Sequence, residues 1–127
     1  MNVLIVEDNK PVGLVLARVV RELGLGPIMA PDGESALRMY QQRDVDLAII
    51  DVQLPGRDGF SVVREIRRDA GDGLPVILIS ANEDTAPEQR AREAGANEFL
   101  AKPVRPGRLA ELLRQYLSLP VPEQDTP

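Results

Sequence analysis

The chain has 127 residues, 28% of them charged, a formal net charge of −5, and neither cysteine nor histidine. That length suits one domain with a real core, and the missing thiols and imidazoles exclude disulfides, thiolate or imidazole metal sites and the commonest general base. The acidic balance argues against direct nucleic-acid binding. No apolar run approaches the roughly 18 residues of a membrane span, and the first residues lack a basic leader, so a soluble cytoplasmic protein is expected.

Two periodicities alternate along the chain. Short apolar runs at Val3–Val6, Leu47–Ile50 and Val76–Ile79, and weaker ones at Pro27–Ala30 and Glu98–Ala101, read as strands. Between them, Val12, Val15, Leu16, Val19 and Leu23 recur at helical spacing and predict one apolar helix face. Ala36, Leu37 and Tyr40 repeat the pattern after Asp32-Gly33. Val62, Val63 and Ile66 do so after Asp58, and Leu109, Leu112, Leu113 and Tyr116 form the last such set. Thr85 to Glu88 reads as a capping box for a fourth helix whose apolar face is thin. Aromatic residues are few (Phe60, Phe99, Tyr40, Tyr116), so the core must be aliphatic.

This alternation predicts an α/β fold, a βα unit used five times to build a doubly wound parallel sheet with helices on both faces. The domain is expected over residues 1–118, with 119–127 a proline-rich acidic tail or a linker toward an output domain.

Ligands of open α/β sheets bind beyond the carboxyl ends of the strands. The residues standing there are Glu7 and Asp8, Asp51, Ser80 and Lys102. Singly, each has an ordinary structural reading: a turn carboxylate, a loop hydroxyl, a surface lysine. Together they place carboxylates, a hydroxyl and an ammonium on one rim. Such an acidic group calls for a hard divalent cation, Mg2+ or Mn2+, because every available donor is oxygen.

These segments resemble the receiver domains of two-component response regulators. "VLIVEDN" is similar to that family's first strand with its acid pair, and "DLAIIDVQLPGRDG" to the phosphoacceptor strand and loop. "PVILISA" resembles the fourth strand ending in a switch hydroxyl, and "GANEFLAKP" the fifth strand ending in Lys-Pro. The resemblance implies a flavodoxin-like strand order 2-1-3-4-5, an order for which a member of this family is a standard example. It implies that Asp51 takes a phosphoryl group from a histidine kinase or phosphotransfer protein. Asp8, Asp51 and the Gln53 backbone carbonyl would ligate the metal directly, with Glu7 acting through water. Lys102, before a cis Pro103, would contact the phosphoryl group. Ser80 and Phe99 would form the switch, Ala81 would leave access for the donor, and Gln53 and Asn82 would tune the lifetime.

Output would pass through the fourth helix, fifth strand and fifth helix to an output domain, a partner or a phosphorylation-dependent dimer. Such a protein assists its own phosphorylation and dephosphorylation and is not a turnover enzyme. Two other readings remain open here. One is a degenerate receiver acting as a constitutive interaction module. The other is an aspartyl-nucleophile phosphohydrolase, which would want a second acid where Gln53 stands. A nucleotide-binding domain is disfavoured, since no glycine-rich loop follows the first strand.

Overall fold

The computed structural model describes residues 1–81 and 87–120 (of Pro87 the backbone only). The Thr85 part of the capping box, Asn82 and residues 121–127 of the tail lie outside them. The chain runs β1 (Asn2–Val6), α1 (Lys10–Glu22), β2 (Gly26–Ala30), α2 (Gly33–Gln42), β3 (Leu47–Asp51) and α3 (Gly59–Ala70). A short 3-10 turn follows, then β4 (Val76–Ser80), α4 (Pro87–Ala94), β5 (Glu98–Ala101) and α5 (Pro106–Leu117). The strands form one parallel sheet in the order β2-β1-β3-β4-β5. This is the flavodoxin-like arrangement that the resemblance implied.

Alternation within the strands divides the core between the two sheet faces. Leu4, Val6, Ala48, Ile50, Val76 and Leu78 pack with Ala36 of α2, Val62, Val63 and Ile66 of α3, and Ala91 and Ala94 of α4. Val3, Ile5, Leu47, Ile49, Ile77 and Ile79 pack with Leu16, Ala17 and Val20 of α1 and Leu109, Leu112 and Leu113 of α5. Among the described residues, the thin face expected of the fourth helix is Ala91 and Ala94.

Among the described residues, α1, α2 and α3 each start on a short polar side chain that accepts a backbone N–H of the first turn. Asn9 takes Val12 N, Asp32 takes Ser35 N and Asp58 takes Ser61 N, at 3.1, 2.7 and 2.8 Å. Each such cap is worth about 1 kcal/mol. They also fix where the chain turns from the functional rim into a helix.

One helical face differs from the expectation. Val15 is 47% exposed, and the residues of α1 seated on the sheet are Gly13, Leu16, Ala17, Val19 and Val20. From Val12 to Val20 nearly every residue is apolar, so the period alone admits two faces about one residue apart. The helix puts its small members, Gly13 and Ala17, against the sheet, where close approach matters. Leu14 and Val15 are left facing solvent.

Candidate functional site

The strand register brings the site together. Val6 pairs with Ile50, Asp51 with Ile79, and Ser80 with Ala101, so residues 7, 51, 80 and 102 share the carboxyl rim of adjacent strands. Glu7 is anchored by its own N–H, which donates to the Ala30 carbonyl at 3.0 Å. Lys102 is anchored likewise on the Ser80 carbonyl at 2.9 Å. Asp51, the last residue of β3, is 2% exposed, Ser80 also 2%, and Glu7 6%. Asp8 is exposed at the mouth of the cluster.

Lys102 spans the cluster. Its Nζ lies 2.7 Å from Asp51 Oδ2 and 2.8 Å from Glu7 Oε1. Asp51 Oδ1 accepts the Gln53 N–H at 3.0 Å, so both acceptor oxygens of Asp51 are held. Glu7 Oε2 accepts the Asn9 N–H at 3.2 Å. Glu7 Oε1 is buried and has the Lys102 ammonium as its partner.

Burial pushes the Glu7 carboxyl up to about 7; the Lys102 ammonium opposes this, and the nearby Asp51 carboxylate adds to it. Burial depresses the Lys102 ammonium, but its bonds to Asp51 and Glu7 outweigh that and leave it raised. Lys102 therefore stays charged at neutral pH, while Glu7 sits near its midpoint.

Glu7, Asp8 and Asp51 each present an oxygen, and these oxygens lie within 4.8 Å of one another. The set is all carboxylate, Asp8 faces solvent, and Glu7 and Asp51 are buried. Such a group fits a hard, partly hydrated divalent cation. The Lys102–Pro103 peptide is cis, as the resemblance implied. Gln53 is exposed beside Asp51, and Phe99 lies half-buried against the core cluster that includes Ala91 and Ala94.

Sequence reasoning missed Arg57. From the loop after Asp51, it reaches α2 and α3 through bonds to Glu34, Ser61 and Glu65. No local pattern announces such a contact, since Glu34 is 23 residues away.

A parallel sheet in the order β2-β1-β3-β4-β5 with an acid cluster and a lysine at its carboxyl rim defines a flavodoxin-like α/β domain with its candidate site at the strand ends. The sequence signature described as "Response regulator receiver domain" matches residues 3–114, and the chain belongs to that family. A probable transcriptional regulator ycf27 of Guillardia theta is 34% identical over 115 residues, covering 91% of this chain and 44% of that protein. The DNA-binding response regulator MtrA of Mycolicibacterium smegmatis is 31% identical over 115 residues, covering 91% and 50%. The chain thus spans about half the length of these curated relatives.

Among solved structures, a putative response regulator from Chloroflexus aurantiacus superposes with a TM-score of 0.86 at 34% identity, covering 92% of this chain and 97% of that one. TrrA from Thermotoga maritima, solved with Mg2+ and BeF, superposes with a TM-score of 0.81 at 28% identity, covering 91% and 97%.

Proposed function

We propose that this receiver is a phosphorylation switch in which Asp51 accepts a phosphoryl group from a phosphohistidine on a kinase or phosphotransfer protein. The observation that carries the reading is the buried Asp51 carboxylate, held on one side by Lys102 Nζ at 2.7 Å and on the other by the Gln53 N–H at 3.0 Å. A carboxylate oxygen would attack phosphorus as the P–N bond to histidine breaks and the imidazole leaves. Phosphoryl transfer is catalysed mainly by positioning and electrostatics. Lys102 supplies a fixed positive charge next to the acceptor.

Asp8, Asp51 and the Gln53 carbonyl would hold Mg2+, with Glu7 acting through water; the ion supplies charge neutralisation at the phosphoryl oxygens. Gln53 at the mouth, and Asn82, would set how readily water reaches the acyl phosphate. The protein assists its own phosphorylation and dephosphorylation rather than turning over a separate substrate.

The donor would approach the rim beside α1, whose exposed Leu14 and Val15 offer an apolar contact. Phosphorylation adds nearly two negative charges and new acceptor oxygens. Ser80 would move toward them and Phe99 inward, shifting a pre-existing equilibrium at α4, β5 and α5. That surface is largely polar, with Glu88, Arg90 and Arg92 exposed on α4, so an output domain, partner or second copy bound there would be salt-sensitive. The names of the relatives point to a transcriptional output reached through a further domain.

The test is labelling with acetyl phosphate and Mg2+, followed by mapping. Label on Asp51 and its loss in Asp51→Asn are expected; undiminished labelling of that variant removes the reading.

A further inference from the structure

The loop 52–58 leaves the sheet at Asp51 and returns at Gly59. Its neck is closed: the Gly59 N–H donates to the Val52 carbonyl at 2.8 Å, and a Cβ at Gly59 would collide with the Asp51 carbonyl oxygen. Gln53, at the start of this loop, is the residue whose N–H holds Asp51 Oδ1. Beyond the neck the loop turns at Gly56 (φ 82°) and is exposed there. Its outer arm is tied down by Arg57.

Every nitrogen of the Arg57 guanidinium has an acceptor. Nε donates to Ser61 Oγ at 2.9 Å, Nη1 to Glu34 Oε1 at 3.2 Å, and Nη2 pairs with Glu65 Oε1 at 3.0 Å. The stem crosses α2 where Gly33 stands, and a Cβ there would come within 2.5 Å of Arg57 Cγ. The side chain is only 23% exposed, although Glu34 is 69% exposed. Ion pairs this exposed contribute little energy each. A planar fork engaging two helices at once nevertheless fixes direction in a way that a lysine cannot.

We propose that Arg57 is a positioning residue for the phosphoacceptor: by clamping the loop to α2 and α3 it holds the Gln53 peptide against the Asp51 carboxylate. The proposal rests on the reading of Asp51 as acceptor for its kinetic consequence, but not for its structural one. Gln53 carries both the N–H that orients Asp51 and the carbonyl assigned to the metal. The Val52 carbonyl and the Gln53 N–H belong to one peptide, which the neck also grips. Clamp and neck therefore act together: a loose outer arm would free the Gln53 carbonyl first and then load the neck that keeps the N–H on Asp51. Misplacement of reacting groups by even an ångström is costly.

The experiment compares the parent chain with Arg57→Met, Arg57→Lys and the double variant Glu34→Gln/Glu65→Gln, below the melting temperature of all four. Three readouts are taken: amide exchange at Gln53, Mg2+ affinity by titration with the metal alone, and the maximal rate of Asp51 labelling at saturating acetyl phosphate. In Arg57→Met, Gln53 exchange should accelerate about tenfold and the maximal labelling rate should fall about three- to tenfold, with weaker Mg2+ binding. Arg57→Lys should recover part of the loss, and the double variant should shift all three readouts in the same direction.

A lowered melting temperature with unchanged Gln53 exchange, Mg2+ affinity and labelling would make Arg57 merely structural and overturn the proposal. If the parent takes no label, the acceptor reading fails instead, and Gln53 exchange still decides whether the clamp exists.

Discussion

At the amino ends of β4 and β5, one cation is hydrogen-bonded, among the described residues, to uncharged acceptors. Arg67 donates from Nε to the Gly95 carbonyl at 2.8 Å, from Nη1 to the Gly71 and Leu74 carbonyls at 3.0 and 2.6 Å, and from Nη2 to Asn97 Oδ1 at 2.8 Å. Asn97 Oδ1 also takes the Val76 N–H at 2.8 Å. At the carboxyl rim, one cation meets a surplus of charge: Lys102 touches Glu7 and Asp51, and Asp8 stands beside them with no ion pair among the described residues.

The first rim converts backbone acceptors that strand ends and loops would otherwise leave unpaired into a closed network, which stabilises. The second keeps like charges close and buries the Glu7 carboxyl beside Asp51, which costs stability. Proteins retain such cost where it prepares a site for an incoming charge. The sheet therefore separates its fastening end from the end that carries the candidate site.

That contrast can be broken most severely at Asp51. Asp51→Asn should lower phosphoryl labelling by at least about 100-fold while preserving the fold, measured by labelling and by circular dichroism. Lys102→Ala should keep metal binding and impair labelling, whereas Asp8→Ala should abolish metal binding.

At the other rim, Arg67→Ala should lose about 3 kcal/mol of stability by urea unfolding, since it removes the partner of the part-buried Gly95 and Leu74 carbonyls. Its Mg2+ affinity should equal the parent's, and a weakened affinity would mean the two rims are not separable.

Next comes pH. In the metal-free protein Glu7 titrates near 7 against an ordinary value of 4.5, chiefly through burial. Between those values the folded chain binds more protons than the unfolded one. Stability should therefore fall as pH rises from about 4.5 to about 7, by up to about 3 kcal/mol from this group. Glu7→Gln should flatten that slope in denaturation curves taken across the range.

The smallest effect is metal stabilisation. Mg2+ at ten times its dissociation constant should raise stability by about 1.4 kcal/mol, seen as a shift in melting temperature that Asp8→Ala lacks.

The strands β1, β3 and β4, the Asp32 and Asp58 helix starts, and the line of Glu7, Asp8, Asp51, Ser80 and Lys102 along one rim are all legible in the sequence. Each rests on local information: an apolar run ends, and the next residue must stand at the strand's edge. Periodicity was less reliable for α1, where almost continuous apolarity let Val15 pass for a core residue although it is 47% exposed. Choosing between the two faces needed the sheet, because only packing shows that Gly13 and Ala17 are the residues small enough to sit against it.

The lysine bridge from Glu7 to Asp51, the Arg57 clamp and the Arg67 network were decided by tertiary structure alone. Their partners lie up to 95 residues apart for Lys102 and Glu7 (102 − 7), and 23 to 30 apart for Arg57 with Glu34 and Arg67 with Asn97. Charge type and spacing say which groups a rim contains. Only the strand register and helix placement say which oxygen each cation reaches, because a hydrogen bond is settled within a few tenths of an ångström, a precision that composition and period do not carry.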